Sequence, residues 1–134
     1  NFERSLVMGI LNVTPDSFFD GGKYLLHDNA IEQFKKLIKE GADIIDIGGE
    51  STRPGSKEIT VNEEISRIIP IISQIRKKYK KEFISVDTRK SQVMKEACKF
   101  NINLINDVSG LRVDKNSKKF LNSNKIPFVL IIYK

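Results

Sequence analysis

The chain of 134 residues has the length of one domain, and its 40% hydrophobic and 30% charged residues exclude a disordered chain. The net charge is +6, but the lysines fall mostly where helices would face water, which argues against a nucleic-acid interface; attraction of an anionic ligand is the other interpretation. The single cysteine, Cys98, excludes a disulfide framework and suits a reducing cytoplasm. No apolar run approaches the ~20 residues of a membrane span, so we expect a cytoplasmic protein without membrane or nucleic-acid partners.

Five strand-like runs alternate with four amphipathic runs along the chain. The predicted strands are apolar at nearly every position and rich in Ile and Val, at residues 6–11, 43–48, 83–87, 103–107 and 127–132. The predicted helices have apolar residues at helical spacing, at residues 28–40, 61–79, 90–99 and 114–124. Strands that are apolar throughout are typical of parallel sheets covered on both faces.

Local signals mark the ends of two helices. Gly41 is placed to end the first helix. Thr60 is a candidate N-cap of the second helix, with Glu63 completing a capping box. Pro70 lies inside the second helix and predicts a kink or a weak point there.

This β(αβ)₄ pattern predicts a parallel sheet with right-handed crossovers. Two α/β architectures fit it: an open doubly wound sheet, which five strands complete, or a TIM (β/α)₈ barrel. A barrel needs about 250 residues, so on that interpretation the chain supplies the first five strands and four helices. In both architectures ligands bind at the carboxyl ends of the strands.

Polar side chains stand at the end of every one of the first four predicted strands. The strands end at Asn12, at Asp46 to Gly55, at Asp87, and at Asn106-Asp107. Because these ends meet on one edge of a parallel sheet, the sequence predicts a binding site there. A carboxylate accepts paired N–H donors such as those of an aminopyrimidine, and a carboxamide suits a flat heterocycle.

Each strand-end residue also has a structural interpretation. Asp87 could cap the helix near Lys90, Asn106 could hold a turn, and Asp107 is expected to bond to local backbone. Asp46 and Glu50 are expected to satisfy polar backbone groups within the sheet. These alternatives leave the ligand assignment open on residue type alone.

A Gly- and Pro-bounded loop follows the second strand and contains Thr52 and Arg53. A cation in such a loop favours anion binding or pairing with Asp20. The Gly48-Gly49 pair is not a dinucleotide-binding fingerprint. Asn12 offers one neutral oxygen to a hard cation, which would take its other ligands from phosphates and water.

The sequence contains no nucleophilic triad. His27 is the only histidine, and we expect it at the surface in a loop before the first helix. Cys98 has no histidine nearby in sequence and is expected to serve packing.

Taken in order, these strand ends resemble dihydropteroate synthase, a pterin-binding family. The resemblance covers nearly the whole chain and is most specific in Asn-Val-Thr-Pro-Asp-Ser-Phe, at 12–18, and Gly-Gly-Glu-Ser-Thr-Arg-Pro-Gly, at 48–55. It implies a (β/α)₈ barrel and a transferase of folate biosynthesis. The reaction condenses 6-hydroxymethyl-7,8-dihydropterin diphosphate with 4-aminobenzoate, giving 7,8-dihydropteroate and diphosphate.

The resemblance also implies roles for individual residues. Asn12 would bind Mg²⁺, while Asp87 and Asn106 would hold the pterin ring. The mobile loops over the substrates would supply the remaining contacts, from Phe18 in the first loop and Thr52, Arg53 and Pro54 in the second. The amine would attack the pterin methylene carbon as diphosphate leaves, with Arg53 and Mg²⁺ stabilising the developing charge.

The chain departs from the family pattern after its fifth predicted strand. Residues 130–134 lack the family's Met-His pair, and the later family segments with the remaining pterin and diphosphate contacts are absent. We therefore expect residues 1–134 to be one pterin-binding domain, the amino-terminal half of a synthase, incomplete at its carboxyl end. Alone it should bind substrates poorly and turn over little, and the full-length form should be a homodimer.

Three alternatives from other classes remain. A methyltetrahydrofolate-binding methyltransferase of the same superfamily would share the barrel and the strand-end Asp and Asn, but a methyl transfer does not need Arg53. A non-catalytic pterin-binding or regulatory module would unfold reversibly as a well-behaved monomer. A nucleic-acid binder would show steep salt dependence.

Overall fold

The computed structural model describes residues 3–15 and 22–131, with the backbone alone for residues 22–25. Five strands alternate with four helices. In chain order they are β1 Met8–Asn12, α1 Gly22–Lys39, β2 Ile44–Gly48, α2 Val61–Lys78, β3 Phe83–Asp87, α3 Ser91–Cys98, β4 Leu104–Asp107, α4 Lys115–Asn124 and β5 Phe128–Leu130. The predicted order of elements is confirmed.

Helix α1 begins at Gly22, well before the predicted start at residue 28. Leu26 packs against the hydrophobic core, so the apolar side of the helix extends toward its amino terminus. The placement of His27 in a surface loop is therefore wrong: it lies within α1 and is half-buried.

All five strands are parallel and lie in sequence order, β1-β2-β3-β4-β5. A doubly wound sheet reverses its strand order at a switch point, with helices on both faces. Here α1, α2, α3 and α4 contact each other in succession. A sheet wound in one direction under a continuous layer of helices has the winding of a (β/α)₈ barrel.

The core lies between the helices and one face of the sheet. Its sheet side consists of alternate strand residues, Leu11, Ile45, Ile47, Ile84, Val86 and Ile105, which are essentially inaccessible to water. On the helix side, the Phe34 ring of α1 meets the Tyr79 ring edge-on, with centroids 5.1 Å apart. Because side chains alternate along a strand, the polar strand-end residues Asn12, Asp87 and Asn106 lie on the opposite face.

Two of the three local signals are confirmed in part or in full. Gly41 follows α1 with a φ of +95°, a conformation that favours glycine. Thr60 caps α2, its hydroxyl accepting a hydrogen bond from the Glu63 backbone N–H at 3.2 Å. The capping box is wrong, because the Glu63 carboxylate pairs with Arg67 instead, at 2.6 Å. Helix α2 continues through Pro70.

Within residues 3–15 and 22–131, none of the helices combines the length and the apolar character needed to cross a bilayer.

Candidate functional site

The polar strand-end residues form one row across the sheet. In the register of the strands, Asn12 lies opposite Gly48, Gly48 opposite Asp87, and Asp87 opposite Asn106. Neighbouring parallel strands are about 4.8 Å apart, so three functional groups share one short edge. The prediction that these groups converge is confirmed by this register.

A cavity of about 520 Å³ opens above this row. Its lining comes from the ends of β1 and β3 and from the loop after β2, namely Asn12, Thr14, Pro15, Glu50, Ser51, Thr52, Arg53 and Asp87. The cavity therefore unites four of the predicted site residues, whereas Asn106 and Pro54 are not among its lining residues. Phe18 and Asp20 lie outside the described residues.

Burial raises the pKa of the Asp87 carboxyl to about 7, and the nearby charges of Asp46, Glu64 and Asp107 contribute in the same direction. A carboxylate that is costly to ionise gains most when a ligand donates hydrogen bonds to it. The alternative role of Asp87 as a helix cap is wrong, because Lys90 occupies the cap position of α3 without a side-chain cap. Asp87 is therefore available to the cavity.

Asn106 lies on β4, on the face of the sheet away from the helices, and pairs with Asp46. Its Nδ2 donates to Asp46 Oδ2 at 3.0 Å, and both residues are more than nine-tenths buried, with exposed fractions of 8% and 2%. The expectation that Asp46 satisfies backbone groups is wrong, since its described hydrogen bond goes to a side chain. The interpretation of Asn106 as a turn residue is also wrong, since it lies within β4.

The loop after β2 has a hydrogen-bonded turn that contains Arg53. The Ser56 hydroxyl donates to both Ser51 O and Arg53 O at 2.7 Å, and Gly55 adopts a φ of +81°. Thr52 and Arg53 are exposed, and they also line a second cavity of about 530 Å³ that reaches Arg89 and Ser109. The turn therefore presents both side chains to open space on either side of the loop.

A buried ion-pair network at the base of this loop was not anticipated from the sequence. Glu50 pairs with both Arg89 and Lys90, and the Lys90 ammonium also pairs with Glu64 at 3.0 Å. The backbone role expected of Glu50 is therefore wrong. One signal was available: Glu64 falls on the same helix face as Ile68 and Ile71, which predicts a buried acid that needs a partner.

The expectation that Asp107 bonds to local backbone is confirmed. Asp107 accepts hydrogen bonds from the Ser109 and Leu111 backbone N–H groups, at 2.8 and 3.1 Å. Cys98 is half-buried, and burial raises the pKa of its thiol to about 11, which disfavours the nucleophilic thiolate.

Residues 8–134 match the family described as "Pterin binding enzyme". The chain belongs to this family. The strand-end Asp and Asn residues and the loop after β2 all fall inside the matched region.

Individual relatives carry a more specific name. Dihydropteroate synthase of Bacillus subtilis (strain 168) is 50% identical over 129 residues, covering 96% of this chain and 45% of the relative. The dihydropteroate synthase of Clostridium difficile, solved in the presence of pteroic acid, superimposes with a TM-score of 0.88 at 45% identity, covering 94% of this chain and 48% of that one. The Xanthomonas albilineans enzyme with 4-aminobenzoic acid gives 0.86 at 43% identity, covering 96% and 46%.

These comparisons settle the architecture. The five strands and four helices superimpose on TIM-barrel chains, which confirms the predicted fold class as part of a (β/α)₈ barrel. The pterin-binding chain spans about half the length of the relatives that it matches.

Protein groups alone provide only a weak site for a cation. The part of the chain that the structure describes holds no group of three or more His, Cys, Asp and Glu residues suited to a metal. Asn12 is exposed and lines the cavity beside Asp87. A carboxamide oxygen at the mouth of a cavity fits Mg²⁺ that takes most of its ligands from phosphate and water.

Proposed function

We propose that this chain is the pterin-binding part of a dihydropteroate synthase, a transferase of folate biosynthesis. Its substrates would be 6-hydroxymethyl-7,8-dihydropterin diphosphate and 4-aminobenzoate, and its products 7,8-dihydropteroate and diphosphate. The observation that supports this most strongly is the row of Asp87 and Asn106, in register beneath a cavity lined by Thr52 and Arg53. The names of the relatives and the two ligands in their structures support the same reaction.

The chemistry follows from what each side chain can donate or accept. Asp87 and Asn106 hold the pterin ring, Asp87 as an acceptor of its N–H groups. Arg53, as the catalytic residue, stabilises negative charge that develops on the departing diphosphate. Thr52 bonds to the substrate beside it, and Pro54 helps to shape the aminobenzoate pocket. Phe18, outside the described residues, would contact the substrates from the first loop.

The bond changes require no protein nucleophile. The aminobenzoate nitrogen lone pair forms the new C–N bond to the pterin methylene carbon as its C–O bond to diphosphate breaks. The electron pair of the broken bond leaves on diphosphate, and the protonated nitrogen then gives its proton to water.

Mg²⁺ bound at Asn12 would neutralise charge on the diphosphate oxygens. The carboxamide oxygen of Asn12 would be the protein ligand, and phosphate and water would supply the others. We place the protein in the cytoplasm, which the lone cysteine supports, and we propose a homodimer for the full-length form without nucleic-acid or membrane partners.

Ligand titrations test this assignment. Binding of 6-hydroxymethylpterin and of inorganic diphosphate with Mg²⁺ is followed by NMR up to millimolar concentrations. We expect Asp87→Ala to weaken the pterin at least about tenfold, the worth of one good hydrogen bond, and Arg53→Ala to weaken diphosphate only. Arg4→Ala, at the far end of the sheet, should alter neither. A wild-type chain that binds neither probe would overturn the proposal.

A further inference from the structure

Asp46 and Asn106 pair across a strand that separates them. Asp46 is on β2 and Asn106 on β4, with β3 between, and Asn106 Nδ2 donates to Asp46 Oδ2 at 3.0 Å. An ionised carboxylate only accepts hydrogen bonds, whereas an amide has one donor end and one acceptor end. The reversed amide would place two acceptor oxygens against each other. The pairing therefore selects one of the two orientations of the Asn106 amide.

The oxygen end of that amide has no partner among the described residues. Asn106 Oδ1 and Asp46 Oδ1 are both buried and accept no hydrogen bond from the described part of the chain. A buried acceptor without a donor is unfavourable, so these two atoms call for a donor from beyond the described residues, and a bound ligand can supply it. Asp87, opposite Asn106 in the register, offers two further acceptor oxygens once it is ionised, above about pH 7.

We propose that Asp46 is a positioning residue that acts through Asn106 and sets the specificity of the site. By holding Nδ2, it turns Oδ1 toward the ligand, so that the floor presents acceptors alone. The site then selects heterocycle edges that carry N–H donors. This inference rests on the proposed function for the ligand class, but the orientation of the amide does not depend on it.

The substitution Asp46→Asn separates this role from a general loss of structure. It keeps the shape of the side chain but gives it an N–H donor as well as an acceptor. Both orientations of the Asn106 amide can then form a hydrogen bond with residue 46. The control is Asp43→Asn, the same change just before β2, where the carboxylate pairs with Arg4 at the far end of the sheet.

The first measurement compares two probes by calorimetric titration. Pterin carries an amino group at ring position 2, and lumazine carries an oxygen there. We expect the wild-type chain and Asp43→Asn to prefer pterin by roughly tenfold or more, the discrimination typical of a lost buried hydrogen bond. Asp46→Asn should bring the two affinities close together, mainly by weakening pterin. An unchanged preference in Asp46→Asn would overturn the proposal.

The second measurement needs no ligand. In ¹⁵N NMR spectra, the Asn106 side-chain amide is assigned by its loss in Asn106→Asp. One of its protons should exchange slowly with solvent in the wild-type chain and in Asp43→Asn, and several-fold faster in Asp46→Asn. Equal exchange in all three would overturn the orienting role. A wild-type chain that binds neither probe refutes the proposed function, while this spectrum still decides the pairing.

Discussion

The Lys90 ammonium lies 3.0 Å from a carboxylate oxygen of Glu64, and only 11% and 1% of these two side chains are exposed. The same ammonium contacts Glu50, which leads directly into the loop with Thr52 and Arg53. The buried ammonium of Lys90, just before α3, therefore links Glu64 of α2 to Glu50 at the start of that loop.

Replacing this cation should be strongly destabilising. Lys90→Met keeps most of the side-chain length but leaves the buried Glu64 carboxylate without its described partner and Glu50 with Arg89 alone. Breaking a buried pair in this way costs about 3–5 kcal/mol. Urea denaturation measures the loss in free energy of unfolding. Lys99→Met, which removes an exposed pair with Glu96, should cost less than about 1 kcal/mol. Equal losses in the two variants would show that the network contributes no more than a surface pair.

The pKa of Asp87 predicts a pH dependence of stability. Its native pKa is about 7, against the usual 3.8, so the folded chain holds this proton where the unfolded chain releases it. The free energy of unfolding therefore falls as pH rises from about 4 to 7. Asp87→Asn should remove this dependence and stabilise the chain by about 1–3 kcal/mol above pH 7, with no gain at pH 4.

Asp43 gives a control of opposite sign. Its contacts with Arg4 and the Val7 backbone lower its pKa to about 2, so its contribution is present above pH 4 and is lost as pH falls through 2. Asp43→Asn should therefore destabilise at neutral pH, and this effect should shrink as pH falls from 4 to 2. Thermal unfolding across pH 2–8 follows both variants, and parallel pH profiles would contradict the assignment for Asp87.

The contrast between Asp87 and Asp46 shows what the sequence could reveal. The strand residues 83–87 were predicted with the bounds that the structure has, because an apolar run followed by Asp87 is a local pattern. The convergence of strand ends followed from parallel winding alone. The partner of Asp46, in contrast, is Asn106, sixty residues later in the chain. Which side chains meet across β3 depends on the register, and local periodicity does not specify it.

The same reasoning explains two further wrong predictions. The contacts of Glu50 come from Arg89 and Lys90, about forty residues away, and are fixed only when the loop after β3 folds against α2. The early start of α1 depends on Leu26 reaching the core. In both cases a tertiary contact, absent from the local sequence pattern, decided the outcome.

Gly49 is required by a close approach. A Cβ atom at this position would lie 2.8 Å from the Ile68 side chain, whereas the nearest contact of a Cβ at Gly48 is 3.4 Å. We expect Gly49→Ala to cost about 1–3 kcal/mol by overpacking and Gly48→Ala to cost less. Ile68→Ala removes the clashing methyl, so the double variant with Gly49→Ala should be less destabilised than the sum of the single changes. Strict additivity in urea denaturation would contradict this contact.

Arg76 makes hydrogen bonds to the segments that precede β3 and β4, at the end of the sheet opposite the candidate site. Its guanidinium donates to the carbonyl oxygens of Glu82 and Asn101 and to Asn103 Oδ1, each at 2.8 Å, and makes longer bonds to Phe100 and Tyr79. Burial lowers the pKa of this side chain, yet all its N–H donors bond to acceptors, which lie in two different connections.

Arg76→Lys retains the charge but not the planar fork, and should cost about 2–3 kcal/mol of unfolding free energy. Lys77→Ala, on the exposed face of the same helix, should change it by less than about 0.5 kcal/mol. If Arg76→Lys were as mild as the Lys77 variant, charge alone would suffice and the fork geometry would be irrelevant. Hydrogen exchange in the Asn101–Asn103 segment should rise in Arg76→Lys only, because those carbonyls and that amide lose their shared donor.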